Sequence, residues 1–247
     1  MPDELPRIYT DLAPWFHLLT APSEYDGEAE FYRRAFLEAA AVPPRTLLEL
    51  GSGGGNMASH YKQWFQSTLV DVSPQMLALS QGLNPDCEHF QGDMRSVRLG
   101  RVFDAVFVHD AVMYLTTEAD LRQAMATAFD HCRPGGVAIF APDDLRDTFV
   151  SRTEHGGHDG DGRALRYLQW TWDPDPADST YLVDYAYLLR EEGQPLRCVS
   201  DRHVCGLFRR GDWLRLLGEA GFRTSIRSYE DDEVGTVEVF VATRPDR

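Results

Sequence analysis

The residues best suited to chemistry stand where an apolar run gives way to glycine. The run 47–50 contains Glu49, and after the turn a helix is predicted to open at 57–61. Glycines alternate with other residues in the turn, at Gly51, Gly53 and Gly55. Because glycine has no Cβ, the backbone there can turn sharply and let a flat ligand lie against it. A strand, a glycine-rich turn and a helix in this order predict a nucleotide site at the carboxyl end of the strand.

The ligand expected at this turn is cationic. A dinucleotide fingerprint has Gly or Ala at its sixth position, whereas this chain has Asn56. Glu49 places a carboxylate just before the first glycine, where it would repel a pyrophosphate and suit a positively charged ligand. A plain tight turn has the same glycine spacing, so the acids farther along the chain decide between the alternatives.

Two further acids stand at the ends of the next predicted strands. Asp71 directly follows the segment 67–70 and lies twenty positions beyond Gly51. At that spacing an acid at the end of the second strand can accept hydrogen bonds from both ribose hydroxyls. Asp93 follows the third predicted strand, 88–91, in a Gly-Asp-Met turn. This motif alone is weak evidence for a binding site, but it is the third in a correctly spaced series of motifs.

These motifs resemble those of the class I S-adenosylmethionine-dependent methyltransferases. The run 49–55 is similar to their motif I, and 71–77 is similar to their D-x-S-x-x-M-L phrase. The resemblance implies S-adenosylmethionine, which carries an ammonium and a sulfonium, as the cofactor, with its adenine held by Asp93 and Met94. The cofactor-binding residues expected in this way are Glu49, Gly51, Gly53, Gly55, Asp71, Val72, Met76, Asp93, Met94 and His109.

The predicted catalytic residues are His109, His203, Asp110 and Tyr9. His109 and Asp110 follow the fourth predicted strand, and Tyr114 nearby is a lesser candidate. With an ordinary pKa near 6.5, His109 is the general base favoured by position, or else its backbone carbonyl binds the ligand's ammonium. His203 is a second candidate base or a substrate ligand, with a packed sheet histidine as the alternative. The resemblance implies that Tyr9 belongs to a lid over the cofactor, and simple packing is the alternative.

The elements that must position these residues alternate between strand and helix. Parallel strands are predicted at 47–50, 67–70, 88–91, 103–108 and 137–140, with helices at 29–40 and 118–131 and a turn at 133–136. Strands at 223–228 and 236–242 close the chain around an acidic loop at 230–233, and the last strand is antiparallel in this fold. The fold class expected is α/β, a Rossmann-like seven-stranded, mostly parallel sheet with helices on both faces.

A different pattern separates the fifth and sixth core strands. The segments 165–172, 180–190 and 196–207 alternate in polarity between Pro, Gly and Asp turns, which predicts a small inserted antiparallel sheet. The stretch 152–163 contains histidines and aspartates but is rich in glycine, so we expect a solvated loop and no metal site. The division expected is an N-terminal helical lid at 1–42, a core at 43–141 and 208–247, and a substrate cap at 142–207.

Composition limits the partners. The 247 residues carry a formal net charge of −15, which disfavours a nucleic acid, because binding one depends on a basic face. Apolar runs are too short for a membrane span and the N-terminus lacks a signal-peptide pattern, so we expect a cytoplasmic protein without a membrane partner. The four cysteines lack the spacing of a zinc site. The partner expected is a small-molecule methyl acceptor, and the sequence leaves a homodimer open.

The later part of the chain resembles one branch of the family. His203 stands before a Leu-Phe pair, the turn 92–95 reads Gly-Asp-Met-Arg, and the inserted sheet is rich in tyrosine, as in N,N-dimethyltransferases of deoxyamino-sugar nucleotides. At the end of the fourth strand those enzymes are usually rich in Ser, Ile and Gly, whereas this chain has His109, Asp110 and Ala111. The function expected is methyl transfer to an oxygen or nitrogen of a small molecule, such as an amino sugar or natural-product intermediate. An NAD(P)-dependent oxidoreductase and a non-catalytic S-adenosylmethionine-binding regulator are the alternatives.

Overall fold

The computed structural model describes residues 5–231 and 235–246. Its strands are β1 Thr46–Leu50, β2 Gln66–Asp71, β3 Glu88–Gln91, β4 Phe103–His109, β5 Cys132–Ala141, β6 Arg152–Gly156, β7 Asp159–Gly160, β8 Arg163–Trp172, β9 Thr180–Glu191, β10 Arg197–Gly206, β11 Arg223–Asp231 and β12 Gly235–Thr243. Its α-helices are α1 Phe16–Leu19, α2 Asp26–Ala39, α3 Asn56–Tyr61, α4 Pro74–Leu83, α5 Glu118–His131 and α6 Arg210–Glu219. Short 3-10 helices span Arg7–Tyr9, Ala13–Trp15, Pro22–Tyr25 and Ala111–Tyr114.

The larger sheet has seven strands in the order β11-β12-β5-β4-β1-β2-β3. Strands β1 to β5 pair in parallel, and β12 runs antiparallel to both β5 and β11. This architecture confirms the expected Rossmann-like fold class. The carboxyl ends of β1, β2, β3 and β4 therefore meet at one edge of the sheet, where ligands of such sheets bind.

Helices cover both faces of this sheet because its central strands are apolar on both sides. Successive residues of a strand point to opposite faces, so Leu47 joins the core beneath α2 and α3, while Leu48 joins the core beneath α5 and α6. Both side chains are fully buried. The sheet is consequently a rigid platform for the residues that follow its strands.

The second sheet follows β5 in the chain and is antiparallel throughout, in the order β10-β9-β8-β6 with β7 also on β8. The solvated loop expected at 152–163 is therefore wrong, since β6 and β7 occupy most of it. Gly157, where φ is +109°, separates β6 from β7, and the chain reverses only in the turn at 161–162 that leads into β8. Both β6 and β7 run antiparallel to β8, which supplies their backbone hydrogen bonds. Within the described ranges, no group of three or more His, Cys, Asp and Glu side chains is arranged to hold a metal ion.

Other boundaries differ modestly from expectation. Helix α2 begins at Asp26, directly after the 3-10 turn, and the predicted turn at 133–136 lies inside β5. That turn is held by the residue after β12, because Gly135 donates its N–H to the Arg244 carbonyl. The acidic loop expected at 230–233 falls partly outside the described residues, and β11 extends to Asp231. No helix of the described part has the length and apolar character needed to cross a membrane.

The N-terminal segment fills the space between the two sheets. Ile8, Leu12 and Trp15 are buried against residues of the second sheet, including Leu165 and Tyr187. The burial of these apolar side chains holds the segment in place, although the helices around them are short. The segment therefore covers the carboxyl edge of the larger sheet.

Candidate active site

A cleft of about 910 Å³ lies at the carboxyl edge of the larger sheet. Its wall includes these residues expected from the sequence to bind the cofactor: Glu49, Gly51, Gly53, Asp71, Val72, Met76, Asp93, Met94 and His109. They follow β1, β2, β3 and β4, whose parallel directions bring their ends together. Tyr9 and Asp110, two of the predicted catalytic residues, complete the same wall.

The glycine turn has no room for side chains on its inner surface. Gly51 has φ of +84°, and a Cβ there would lie 2.4 Å from the Ala111 Cβ and 2.8 Å from the Met94 Cε. Gly53 has φ of +52°, a conformation that other residues adopt at a cost. The backbone can therefore approach a flat ligand as the sequence predicted.

Gly55 lies behind the cleft and not in its wall. A Cβ on Gly55 would lie 2.4 Å from both the Asn84 Nδ2 and the Ser80 Oγ of α4. Its carbonyl accepts a hydrogen bond of 2.9 Å from Asn84 Nδ2. The structure therefore gives Gly55 a packing contact with α4, and its contact with the cofactor stays a prediction. Gly54, which sequence reasoning did not select, lines the cleft instead.

Asp71 is fixed by the backbone on both sides of it. Its Oδ2 accepts from the N–H of Gly53 and its Oδ1 from the N–H of Ser73, each at 2.8 Å. Burial raises the pKa of Asp71, while these N–H groups act in the opposite direction. Each carboxylate oxygen keeps further acceptor capacity, so the side chain can still receive ribose hydroxyls.

Glu49 is a buried acid in the wall of the cleft, with 2% of its surface exposed. Its Oε2 accepts a short hydrogen bond from the Tyr61 hydroxyl. Burial raises the pKa of Glu49 to about 8. A cation placed beside it would favour the ionised form, so the carboxyl is suited to an ammonium group.

Asp93 is held by its neighbour Arg95. The guanidinium donates to both Asp93 oxygens, including a bond of 2.6 Å to Oδ2, and a second bond of 2.6 Å reaches Asp120. Burial acts to raise the pKa of Asp93, but the bonds from Arg95 outweigh it and the pKa is lowered. Asp93 is therefore an ionised acceptor whose position is set by an arginine.

His109 does not have the environment of a neutral base. Its Nε2 lies 2.8 Å from Glu28 Oε1 and 2.9 Å from Asp110 Oδ1, and its ring stacks on Phe107. Burial acts to lower the pKa of His109, but the carboxylates of Asp110 and Glu28 raise it well above its usual value. The expectation of a largely neutral imidazole is therefore wrong, because the sequence does not reveal that Glu28 lies beside it.

Asp110 has strained backbone geometry at the mouth of the cleft. Its φ of +46° is the only positive value among the non-glycine residues described. The conformation is fixed by its N–H, which donates to the Ala141 carbonyl, and by its carbonyl, which accepts from the Met113 N–H. Such strain costs about 1–3 kcal/mol and is found most often at functional sites.

A second cavity of about 830 Å³ adjoins the cleft beneath the second sheet. The two spaces share the residues Tyr9, Phe16, Tyr25, Asp110 and Tyr114 in their walls. Much of the remaining wall comes from the inner face of the second sheet and from the loop after β5, and it includes several tyrosines and aspartates. Molecules bound in the two spaces would therefore meet at this shared wall.

A chain of hydrogen bonds runs from the shared wall into the second sheet. The hydroxyls of Tyr9 and Tyr114 are 2.8 Å apart, and Tyr114 lies 2.8 Å from His203 Nδ1. The other ring nitrogen of His203 is 3.4 Å from Asp201 Oδ2. Burial raises the pKa of both tyrosines, so they remain neutral hydroxyls at physiological pH. The structure thus joins Tyr9 to His203, while His109 belongs to a separate network.

The sequence patterns did not identify several residues of the site. Asp143 lines the second cavity, Asp201 supports His203, and Glu28 pairs with His109. Asp143 follows β5, so the rule that ligands bind beyond the carboxyl ends of parallel strands could have found it. Glu28 and Asp201 carry no such signal, because their partners are distant in the sequence.

Comparisons with known proteins agree with this arrangement. Residues 47–136 match a family model described as a methyltransferase domain. The chain is 29% identical over 189 residues to the dTDP-3-amino-3,4,6-trideoxy-alpha-D-glucopyranose N,N-dimethyltransferase of Streptomyces venezuelae. That alignment covers 72% of this chain and 75% of the relative.

Solved structures share this fold. DesVI of Streptomyces venezuelae superimposes with a TM-score of 0.84 at 25% identity, over 96% of this chain and 99% of that one. The S-adenosylmethionine-bound structure of CalS10, an amino pentose methyltransferase from Micromonospora echinaspora, gives a TM-score of 0.76 at 25% identity, over 89% and 91% of the two chains. The open glycine backbone and the buried Glu49 carboxyl fit a cofactor of that kind.

Proposed function

This chain belongs to the class I S-adenosylmethionine-dependent methyltransferases, and from that premise we propose that it methylates an amine nitrogen of a small molecule held in the second cavity. S-adenosylmethionine is its cofactor and supplies a methyl group made electrophilic by the adjoining sulfonium. In the proposal, Glu49 binds the ammonium, Asp71 the ribose and Asp93 the adenine. Gly51 and Gly53 let the backbone approach the ligand.

The observation that carries the proposal is the wall shared by the two cavities. Tyr9, Phe16, Asp110 and Tyr114 line both, so an acceptor in one space reaches the cofactor in the other. Holding two reactants in line can lower a barrier by about 7–11 kcal/mol. Positioning of this kind is the main contribution of the protein to methyl transfer.

The hydrogen-bond partners of His109 and His203 favour nitrogen over oxygen as the methylated atom. A hydroxyl acceptor needs a base to remove its proton, whereas a neutral amine already offers a lone pair. His109 is paired with two carboxylates and His203 is engaged by Tyr114. The N,N-dimethyltransferase named among the relatives supports the same choice.

Residues 1–42 are proposed as a lid and 142–207 as a substrate cap, with the core at 43–141 and 208–247. The Tyr9 carbonyl accepts a bond of 2.6 Å from the Ser73 hydroxyl of the core. Asp201 of the second sheet accepts from the N–H groups of Arg7 and Ile8. Bonds to both sides support a segment that closes over the ligands once they are bound.

Calorimetric titration of the purified protein with S-adenosylmethionine and, separately, with NADH tests the cofactor. We expect binding of S-adenosylmethionine alone, and binding of NADH alone would instead support the oxidoreductase alternative. Transfer of labelled methyl to acceptors that differ only in an amino or hydroxyl group then tests the nitrogen. Preference for the hydroxyl would contradict the amine, and cofactor binding without any transfer would support the regulator.

A homodimer is a separate proposal. The outer face of the second sheet exposes Leu168, Trp170 and Leu188, whose exposed fractions are 54%, 51% and 44%. Apolar surface concentrated in this way supports contact with a second copy. Sedimentation velocity of the wild type beside Trp170→Glu tests it, because a single 28.0 kDa species in the wild type would contradict the dimer.

A further inference from the structure

We propose that the rings of Tyr9, Phe16 and Tyr114 form an aromatic cage, which binds the positive charge of methyl transfer through cation–π contacts, first at the sulfur and then at the acceptor nitrogen. The cage acts on the transfer proposed above, so its assignment rests on that function. It adds three catalytic contacts that need no free acid or base, and it is compatible with an amine acceptor of any net charge.

The wall between the cofactor cleft and the second cavity is mainly aromatic. Five of the described residues line both spaces, and four of them carry rings, namely Tyr9, Phe16, Tyr25 and Tyr114. Each of the four is half-buried, so part of its surface is open to a ligand. A charge that passes from the cofactor to the acceptor therefore passes beside aromatic rings.

The fifth residue of this wall, Asp110, already has a partner. Its Oδ1 lies 2.9 Å from His109 Nε2. Burial acts to lower the pKa of His109, but the carboxylates of Asp110 and Glu28 raise it well above its usual value, so the imidazole carries a charge that offsets Asp110. The rings, and not a free carboxylate, are what this wall offers to a cation.

The three rings of the cage contact one another in sequence. The ring centroids of Tyr9 and Tyr114 are 5.6 Å apart with the planes nearly perpendicular, and those of Tyr9 and Phe16 are 6.1 Å apart. The hydroxyls of Tyr9 and Tyr114 are bonded to each other, and the Tyr114 hydroxyl also reaches His203. Because protein partners occupy these hydroxyl ends, the ring surfaces remain for a ligand.

Phe16 brings the cage to the cofactor site. Its ring lies against the glycine turn, since a Cβ on Gly54 would be 2.6 Å from both Cδ1 and Cε1 of Phe16. A Cβ on Gly53 would be 3.8 Å from Phe16 Cζ. Glycine at position 54 therefore leaves room for the aromatic ring. Because phenylalanine has no polar group, its ring is the only electrostatic contact that it can make with a charged ligand.

Methyl transfer moves a positive charge along this wall. The lone pair of the neutral amine forms the N–C bond while the C–S bond breaks, and the electrons of that bond remain on sulfur. The products are a neutral thioether and an N-methylammonium ion, so the charge has passed from the cofactor cleft to the second cavity. Groups that border both spaces can stabilise the charge throughout this passage.

Aromatic rings suit a charge that moves. The face of a ring is electron-rich and attracts a cation, and the contact is stronger in a desolvated site than on an exposed surface. Burial raises the pKa of Tyr9 and Tyr114, so both stay neutral and act through their rings. A neutral ring does not hold the ammonium product as tightly as a phenolate would, which allows the product to leave.

Fluorinated phenylalanine at position 16 tests the contact with sulfur. One, two or three ring fluorines withdraw electron density from the face and weaken a cation–π contact in steps, while the shape of the ring changes little. Calorimetry on the full chain gives the Kd of S-adenosylmethionine and that of S-adenosylhomocysteine, which is uncharged at sulfur. We expect the ratio of the first Kd to the second to rise with each fluorine, by about fivefold in total. A ratio that stays constant or falls overturns the cage.

The same fluorinated series at Phe31 is the matched control. Phe31 is part of α2, packs on Tyr229 and lines neither space. We expect a constant Kd ratio there, and an equal rise at both positions would overturn the cage. Both ligands bind the same variant, so a general loss of structure weakens both and leaves their ratio unchanged.

Two substitutions of Tyr114 test the contact with nitrogen. Sinefungin, an analogue of S-adenosylmethionine, carries an amino group in the position of the methyl group, on a carbon that replaces sulfur. Tyr114→Phe keeps the ring, whereas Tyr114→Leu removes it. We expect the ratio of the sinefungin Kd to the S-adenosylhomocysteine Kd to stay near the wild-type value in Tyr114→Phe and to rise about fivefold or more in Tyr114→Leu. Equal ratios in the two variants overturn the contact.

These outcomes are separate from those of the proposed function. Neither Kd ratio needs an acceptor, so a protein that methylates no amine contradicts the proposed function while the ratios still decide whether the rings bind the charge. Constant ratios in a protein that methylates amines overturn the cage alone.

Discussion

At the scale of single residues, the acids of the cleft differ in what holds them. Asp71 is fixed by two backbone N–H groups, whereas Glu49 is held by one tyrosine hydroxyl in a drier position. The first arrangement suits a rigid acceptor for hydroxyl groups. The second leaves a carboxyl, with its pKa raised to about 8, that becomes an anion when a cation binds beside it.

Asp71→Asn should weaken S-adenosylmethionine binding by at least about tenfold, because hydrogen bonds to a charged group contribute about 1.5–3 kcal/mol. Calorimetric titration measures the change in Kd. Asp86→Asn, an exposed aspartate elsewhere on the surface, is the control and should bind like the wild type. Equal affinity in Asp71→Asn would remove Asp71 from the cofactor site.

Gly51→Ala should lower both stability and cofactor affinity. Its φ of +84° costs an alanine about 1–2 kcal/mol, and its Cβ would press on Ala111. Gly82→Ala is the matched control, since nothing lies within 4 Å of a Cβ at this position in α4. We expect the control to gain about 0.5 kcal/mol, as glycine is a poor helix former. Urea unfolding and calorimetry report both effects, and an unaffected Gly51→Ala would contradict the close approach.

At the scale of elements, the N-terminal segment depends on one buried aspartate. Asp201 on β10 receives the N–H groups of Arg7 and Ile8 and also lies beside His203. The same carboxylate therefore fixes the segment above the cleft and supports the hydrogen-bond chain from Tyr9. Segment closure and active-site geometry are coupled through it.

Asp201→Asn should loosen this segment. Loss of the charge is expected to speed hydrogen exchange of the Arg7 and Ile8 amides by about tenfold or more and to lower kcat. Asp184→Asn is the control, because Asp184 pairs with Arg202 on the other face of the same sheet. Wild-type exchange in Asp201→Asn would show that apolar packing alone holds the segment.

At the scale of the whole molecule, Glu28 ties together three distant parts of the chain. Its Oε1 lies 2.8 Å from His109 Nε2 and accepts from the hydroxyls of Tyr32 and Tyr229 at 2.9 and 2.8 Å. These partners belong to β4, α2 and β11. Burial acts to raise the pKa of Glu28, but His109 and the hydroxyls lower it to about 2.

Glu28→Gln should destabilise the protein in a pH-dependent way. A lowered pKa in the folded state contributes stability above the unfolded value, near 4.5, and this contribution is lost as pH falls towards 2. The raised pKa of His109 contributes stability below about 6.5, and that contribution is lost as pH rises through the folded value. Between about pH 4.5 and 6.5 we expect Glu28→Gln to lower the free energy of unfolding by about 2 kcal/mol. The loss is no larger because part of Glu28 remains accessible to solvent.

Urea unfolding at a series of pH values measures this cost. The difference in unfolding free energy between the wild type and Glu28→Gln should shrink as pH falls below about 4.5. Glu38→Gln, exposed on the same helix, should show no such difference. A cost that does not change with pH would mean that Glu28 acts by packing and not by charge.

The sequence by itself determined the larger sheet, the cleft at its carboxyl edge and a site for a cationic ligand, while its resemblance to a known family implied the cofactor. Those features depend on local patterns, such as the apolar strands, the alternating glycines and the acids at 49, 71 and 93. Each pattern fixes a backbone shape or a charge within a few residues. Parallel pairing then brings the strand ends together without further information.

Only the tertiary structure decided which groups surround each predicted residue. His109 meets Glu28 across 81 positions of the chain, and Tyr114 meets His203 across 89. Gly55 packs on α4, while β6 and β7 form because β8 offers them backbone partners. Protonation and hydrogen bonding depend on such distant neighbours, which no local pattern specifies, and so the chemistry of the site was settled by the fold.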